Sequence, residues 1–202
     1  ARDIRIAGYG LAVRRTALQS WIPWINGMTA NPLIQAGATE SSPDILTIAA
    51  AFDAPVTELS AAAEAGATTL TITPGSSSVF VPANRRVIFI GRTETARILS
   101  QSYDQISITT DPLTTGKGLQ HAYPAGTQIE IVTTATYRCV PGTGQIGGHQ
   151  FLVRDTGDQA VTMDWHRMLA ADIDDFQVQQ ADYGIDIAVA ARTRDTLQQY
   201  TD

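Results

Sequence analysis

The chain has 202 residues and a mass of 21.6 kDa, enough to bury a sizeable core without help from disulfides or a structural metal. Hydrophobic residues make up 44% and charged residues 17%, which excludes a disordered tail, a collagen-like fibre and a polytopic membrane protein. The net charge of −6 comes from 20 acids against 14 bases, and an acidic chain lacks the field that gathers nucleic acid, so no nucleic-acid partner is expected.

The chain opens at Ala1-Arg2-Asp3 without an initiator Met, which reads as a trimmed or mature fragment from which an N-terminal targeting segment has been removed. Residues 1–15 carry a helical period. Ile4, Ala7 and Leu11 recur on one face, with Arg2 and Arg5 on the other. Gly8 and Gly10 each weaken such a helix by roughly 1 kcal/mol relative to Ala, so packing or an upstream continuation has to hold it. Trp21-Ile22-Pro23-Trp24-Ile25 follows, broken by Pro23 and closed by the Asn26-Gly27 turn. It reads either as a wedge over one end of a core or as an exposed aromatic patch. Residues 29–43 read as a loop.

From Asp44 the period changes to two. Ile45 to Phe52 is a short apolar strand, and 53–66 is an alanine-rich stretch suited to a helical turn or a connection. Thr alternates with Leu70 and Ile72, and further strands are predicted at Val79–Val81, Arg86–Ile90, Ala96–Leu99, Gln105–Thr110 and Thr127–Tyr137. Pro74-Gly75, Gly91, Asp111-Pro112 and Pro124-Ala125-Gly126 punctuate them, the pattern of an antiparallel barrel or sandwich. After a Gly-rich hinge at 141–148, strands are predicted at Gln150–Arg154 and Ala160–Trp165. The segment from Met168 begins with helical character, passes into a strand at Phe176–Gln179, turns at Tyr183-Gly184 and returns at Ile187–Ala191.

Candidate chemistry is sparse. His121, His149 and His166 lie in separate segments without zinc-ligand spacing, and the lone Cys139 reads as a buried structural thiol. Gly142, Gly144 and Gly147 match a dinucleotide fingerprint only in spacing, since no βαβ unit surrounds them. Asp172, Asp174 and Asp175 could supply two or three of the roughly six to eight oxygens calcium takes, but a solvated acidic junction outweighs that reading. No metal, no cofactor and no enzyme activity are expected. Arg14, Arg15, Trp21, Trp24, Asp172, Asp174 and Asp175 are the candidate partner contacts. The Arg14-Arg15 and Arg85-Arg86 pairs suit carboxylates of neighbouring subunits better than phosphates. The acids are unevenly placed: residues 155–202 hold 10 against 3 bases.

Two segments carry a resemblance. ARDIRIAGYG at 1–10 resembles the exposed second half of the long N-terminal helix in PilW-type minor pilins of type IV pilus systems. LAADIDDFQVQ followed by YGID, within 169–186, is similar to that family's C-terminal segment, with Gln180, Ala181 and Asp182 as extra residues expected to form a bulge or longer turn. Tyr137 and Leu152-Val153-Arg154 match a further family pairing, and GspJ-type pseudopilins of type II secretion share the layout. Residues 66–134 also resemble a small β module common in extracellular and phage structural proteins.

The resemblance implies an α+β, pilin-like fold: one head domain over 1–202, with a helix stub at 1–20 packed on antiparallel sheet and a β-rich insertion at 56–134. It implies a structural subunit of a pilus assembly or tip complex. Ile4, Ala7 and Leu11 would face the filament core, and the partners would be other minor and major pilins and the assembly machinery. The family's processing site and apolar half-helix are not among these residues, so contact with the membrane would run through the missing N-terminal segment. The expected location is the inner membrane facing the periplasm, then the extracellular pilus. The alternative is a β-rich adhesion or carbohydrate-binding module, with Trp21, Trp24 or Trp165 as stacking platforms.

Overall fold

Period-two alternation becomes strands almost throughout the computed structural model, which describes residues 18, 20–25, 28–39, 42–51, 55–80, 87–142, 148–156, 168–181 and 184–191. In chain order the strands are β1 (Leu33–Gln35), β2 (Ile45–Ala50), β3 (Thr57–Glu58), β4 (Thr69–Thr71), β5 (Val87–Ile90), β6 (Glu94–Gln101) and β7 (Gln105–Thr109). They continue with β8 (Gln128–Ile131), β9 (Thr133–Pro141), β10 (Gln150–Thr156), β11 (Met168–Ala171), β12 (Ile173–Ala181) and β13 (Gly184–Ala191).

The α+β expectation is corrected. Among the described residues no helix reaches seven residues, and helical structure there is mainly two short 3-10 turns at Ile22–Trp24 and Ser76–Phe80. The expected stub at 1–20, with its helix face Ile4, Ala7 and Leu11, falls almost wholly outside the described residues. The helical character expected after Met168 is overruled by pairing: Ala171 and Ala170 lie opposite Phe151 and Leu152 of β10. Tertiary context outweighs the weak helix preference of Leu and Ala. Of the strand expected at Val79–Val81, Val79 and Phe80 instead end a 3-10 turn, whose first serine, Ser76, donates its hydroxyl to the Thr73 carbonyl at 2.6 Å; Val81 lies outside the described residues.

The chain divides into two units, residues 1–31 with 48–134 and residues 32–47 with 135–202. The first holds a six-stranded antiparallel sheet in the order β3-β8-β5-β6-β7-β4. Its two outer strands meet. Leu59 bridges Ile72, the Ser60 amide donates to the Thr71 carbonyl at 3.0 Å, and the Thr73 amide donates to the Glu58 carbonyl at 3.2 Å. The sheet therefore closes into a small barrel, which removes its exposed edges. Inward positions hold Leu70, Ile72, Ile88, Ile90, Ile98, Ile106 and Ile108, all with 0% exposure. Each such side chain contributes about 1.5–3 kcal/mol by leaving water. The expected insertion at 56–134 contains all six of these strands.

An internal repeat builds one end of the barrel. LSAAAEAGA at 59–67 recurs as LQHAYPAGT at 119–127, and the two copies bond each other reciprocally. Ala63 and Tyr123 exchange both amide bonds at 2.8 Å. Gly66 donates to the Leu119 carbonyl and Gly126 to the Leu59 carbonyl, both at 2.7 Å. Gly66 and Gly126 sit at φ 86° and 82°, the left-handed region that glycine enters without a Cβ penalty.

In the second unit the sheet order is β1-β2-β9-β10-β11, and the chain crosses the unit boundary within β2 and within β9. Val140, Phe151 and Val153 form a buried cluster with Met168 against it. β12 and β13 form a separate two-stranded antiparallel hairpin running from Ile173↔Ala191 to Ala181↔Gly184. The extra residues Gln180 and Ala181 stay in register within it, opposite Ile185 and Gly184. The irregularity falls at the other end, between Ile173 and Asp175. Among the described residues no helix is long and apolar enough to cross a membrane.

Candidate functional site

The acidic corner between β11 and β12 is the first candidate, because it combines the clustered carboxylates with a strained backbone. Asp172 lies between the two strands at φ 55°, a conformation that costs a non-glycine residue about 1 kcal/mol or more. Its Oδ1 bonds Nδ1 of His149, which leads into β10, so the pair ties the corner to the neighbouring strand. Asp175 turns inward: its Oδ1 accepts the Phe176 amide at 2.9 Å and the Gln177 Nε2 at 2.7 Å. Asp174 is exposed. The three carboxylates therefore point to different tasks, and among the described residues no three His, Cys, Asp or Glu side chains converge as metal ligands.

Asp44 is the residue that sequence reasoning missed. It is 6% exposed and stands in for a strand partner along the inner edge of β12. Its amide donates to the Phe176 carbonyl at 2.7 Å and its Oδ2 accepts the Val178 amide at 2.8 Å. Oδ1 accepts the Gly37 amide at 2.8 Å. In sequence, Pro43-Asp44 is a turn signal and nothing nearby points to Val178. Gln177 adds a bond from Nε2 to the Ser42 carbonyl at 3.1 Å.

Cys139 is half-buried, and its thiol is pushed up to about 11, first by burial and then by the charge of Asp175. The thiolate is the reactive form. Reaction with iodoacetamide at pH 8 should therefore be much slower in the folded protein than in urea, which a mass-spectrometric time course checks. The same shift makes folding favour the protonated thiol. This contribution to stability is intact below the unfolded pKa near 9 and is lost as pH rises from there towards 11.

In the first unit the two tryptophans separate. Trp21 is 3% exposed and belongs to the core with Ile22 and Ile25, whereas Trp24 is 37% exposed. Trp24 Nε1 donates to the Pro112 carbonyl at 3.0 Å, and the Arg97 guanidinium lies 3.6 Å from the ring centroid. Arg97 is 8% exposed and covers one face of the indole, so a stacking ligand has at most the other face. Trp165, Arg14, Arg15 and His166 lie outside the described residues.

The barrel end carries a polar network that sequence reasoning also missed. Glu94, 5% exposed, accepts the Gln120 amide at 2.7 Å and the Tyr123 hydroxyl at 3.1 Å, and Tyr123 meets the Thr93 hydroxyl at 2.9 Å. Burial raises the pKa of Tyr123. Both Glu94 oxygens are thereby engaged in holding the second copy of the repeat. The matching place of Ala65-Gly66 and Ala125-Gly126, each glycine seven residues after Leu59 or Leu119, is the signal that could have pointed to this end of the barrel.

No family model, no curated protein and no solved structure matches the chain. What the described residues bring together chemically is backbone anchoring around β12 and a negatively charged hairpin. Residues 168–191 hold five acids, Asp172, Asp174, Asp175, Asp182 and Asp186, and no base.

Proposed function

We propose that this chain is the β-rich head of a minor pilin or pseudopilin, a structural subunit that joins the assembly or tip complex of a type IV pilus-like filament. One observation carries the reading. From the two halves of the pilin-like C-terminal segment, IDDFQVQ lies in β12 and GID in β13, the two arms of one hairpin. The pilin-like ARDIRIAGYG stands at the opposite end of the chain, so the two family segments bracket the β-rich body in the family's order. In this reading Ile4, Ala7 and Leu11 pack in the filament core. The acidic hairpin faces Arg-bearing neighbours, which are other minor and major pilins. The barrel enlarges the head as a scaffold, and the protein works from the periplasmic face of the inner membrane into the extracellular pilus.

The gene and the filament test this. The coding sequence upstream of Ala1 should hold a prepilin processing site followed by about 20 apolar residues. Deleting the gene should strip pilin from the sheared surface fraction, and the wild-type gene should restore it, whereas Leu11→Asp should not. An ordinary cleaved secretory signal upstream, or unchanged piliation in the deletion strain, would overturn the reading.

A further inference from the structure

The hairpin has two unlike edges. Along the inner edge of β12, Asp44 takes the place of a strand. Along the outer edge of β13 no strand pairs among the described residues, where the sheet consists of β12 and β13. In an antiparallel pair, alternate residues turn their N–H and C=O away from the partner, so an unpaired strand edge is a ready template. Proteins normally blunt such an edge with Pro, Lys, a bulge or short length. Gly184–Ala191 has none of these among its eight residues: it reads GIDIAVAA, carries one charge at Asp186, and pairs in register along Phe176–Ala181.

Burial shows what is missing beside it. Ile173, Phe176 and Val178 of β12 are 3%, 1% and 7% exposed and form one apolar row. Their cross-strand partners on the same face are Ala191, Val189 and Ile187. That second row continues the apolar surface outward but leaves cover: Val189 is 47% exposed and Ala191 is exposed as well. One more strand on the β13 edge would extend the ladder and give the row cross-strand neighbours.

Charge selects the occupant. The hairpin segment 173–191 holds four acids and no base, and two copies paired edge to edge along β13 would bring their Asp186 carboxylates towards each other. A strand with apolar residues on one face and Lys or Arg on the other meets Val189 and Ile187 with the first and the exposed Asp186 with the second. We propose that the free edge of β13 is a β-augmentation site that takes an extended, basic, alternately apolar strand from another protein. The inference stands on the hairpin alone and holds whether or not the protein enters a filament.

The test uses the full chain and three fluorescein-labelled ten-residue peptides: alternating Val and Lys, alternating Val and Glu, and a peptide carrying GIDIAVAA. The Val-Lys peptide should bind saturably and slow amide exchange in β13, and the Val-Glu peptide should not bind. Val189→Pro, which removes an edge donor or bends the strand, should weaken binding about tenfold or more. Asp186→Lys keeps the backbone edge and should weaken the Val-Lys peptide by itself, which decides the matter if the proline variant loses its hairpin. Absence of saturable binding by the Val-Lys peptide, or binding unchanged in Asp186→Lys, overturns the site. Preferential binding of the GIDIAVAA peptide, or dimerisation through β13, overturns the choice of a basic partner in favour of a second copy.

Discussion

Gly118→Ala should destabilise the barrel by about 3 kcal/mol or more, or prevent the protein from accumulating in folded form. A Cβ at this position would stand 2.0 Å from the Gly66 carbonyl oxygen and 2.8 Å from that of Ala67. Both are backbone atoms and cannot swing aside as a side chain would. The segments there are fixed by bonds between the two copies of the repeat: Gly66 donates to the Leu119 carbonyl at 2.7 Å and Leu119 to the Ala67 carbonyl at 2.9 Å. Thr110 holds Gly118 from the other side, its hydroxyl donating to the Gly118 carbonyl at 2.7 Å. Making room for one methyl group therefore means breaking bonds that join the two copies. Gly116→Ala is the control. Gly116 lies at φ 85° with open space around it, so alanine there costs only the left-handed conformation, about 1–2 kcal/mol. Urea unfolding followed by circular dichroism should rank the two variants in that order. Equal midpoints would show that the close approach at Gly118 does not limit the fold.

The strands of the barrel were legible because their side chains obey the period of two. Thr69, Leu70, Thr71 and Ile72 alternate in sequence, and Leu70 and Ile72 both reach 0% exposure. Ile106 and Ile108 do the same in β7. The closure of the sheet was not legible, because it depends on Leu59 meeting Ile72 and on two segments that are distant in sequence pairing across Ala63 and Tyr123. Local preference misled at MLAA, where helix formers are drawn into β11 by pairing with β10. At the acidic corner the sequence displayed three carboxylates together. Their division of labour follows from the left-handed turn at Asp172 and from the inward bonds of Asp175, neither of which composition expresses. Spacing alone likewise could not tell Trp21, which is buried, from Trp24, which stacks with Arg97.

Asp44→Ala should cost the second unit about 3 kcal/mol and release the β12–β13 hairpin before the rest unfolds. The residue is buried, and its carboxylate serves two backbone donors, the amides of Val178 and Gly37, each at 2.8 Å. Truncation leaves both amides without their acceptor; an orphaned buried donor such as the Val178 amide costs about 1–3 kcal/mol, and the partly buried Gly37 amide adds less. The bond from the Asp44 amide to the Phe176 carbonyl survives truncation, so the loss falls short of the full set. Asp44→Asn separates geometry from charge. It keeps one carbonyl oxygen but turns an amino group towards one of the two donors, so its cost should approach that of alanine instead of falling halfway. Hydrogen exchange provides the local measurement. In both variants the Val178 amide and its neighbours in β12 should lose protection, while Ile88, Ile98 and Ile106 in the barrel keep theirs. Loss of protection throughout the chain at once would mean that the hairpin is not a separate step of opening. Unchanged protection at Val178 would mean that the carboxylate does not hold β12. Because β12 is the one strand that pairs with β13 among the described residues, the same variants should weaken any strand that docks on the β13 edge, without altering a residue of that edge.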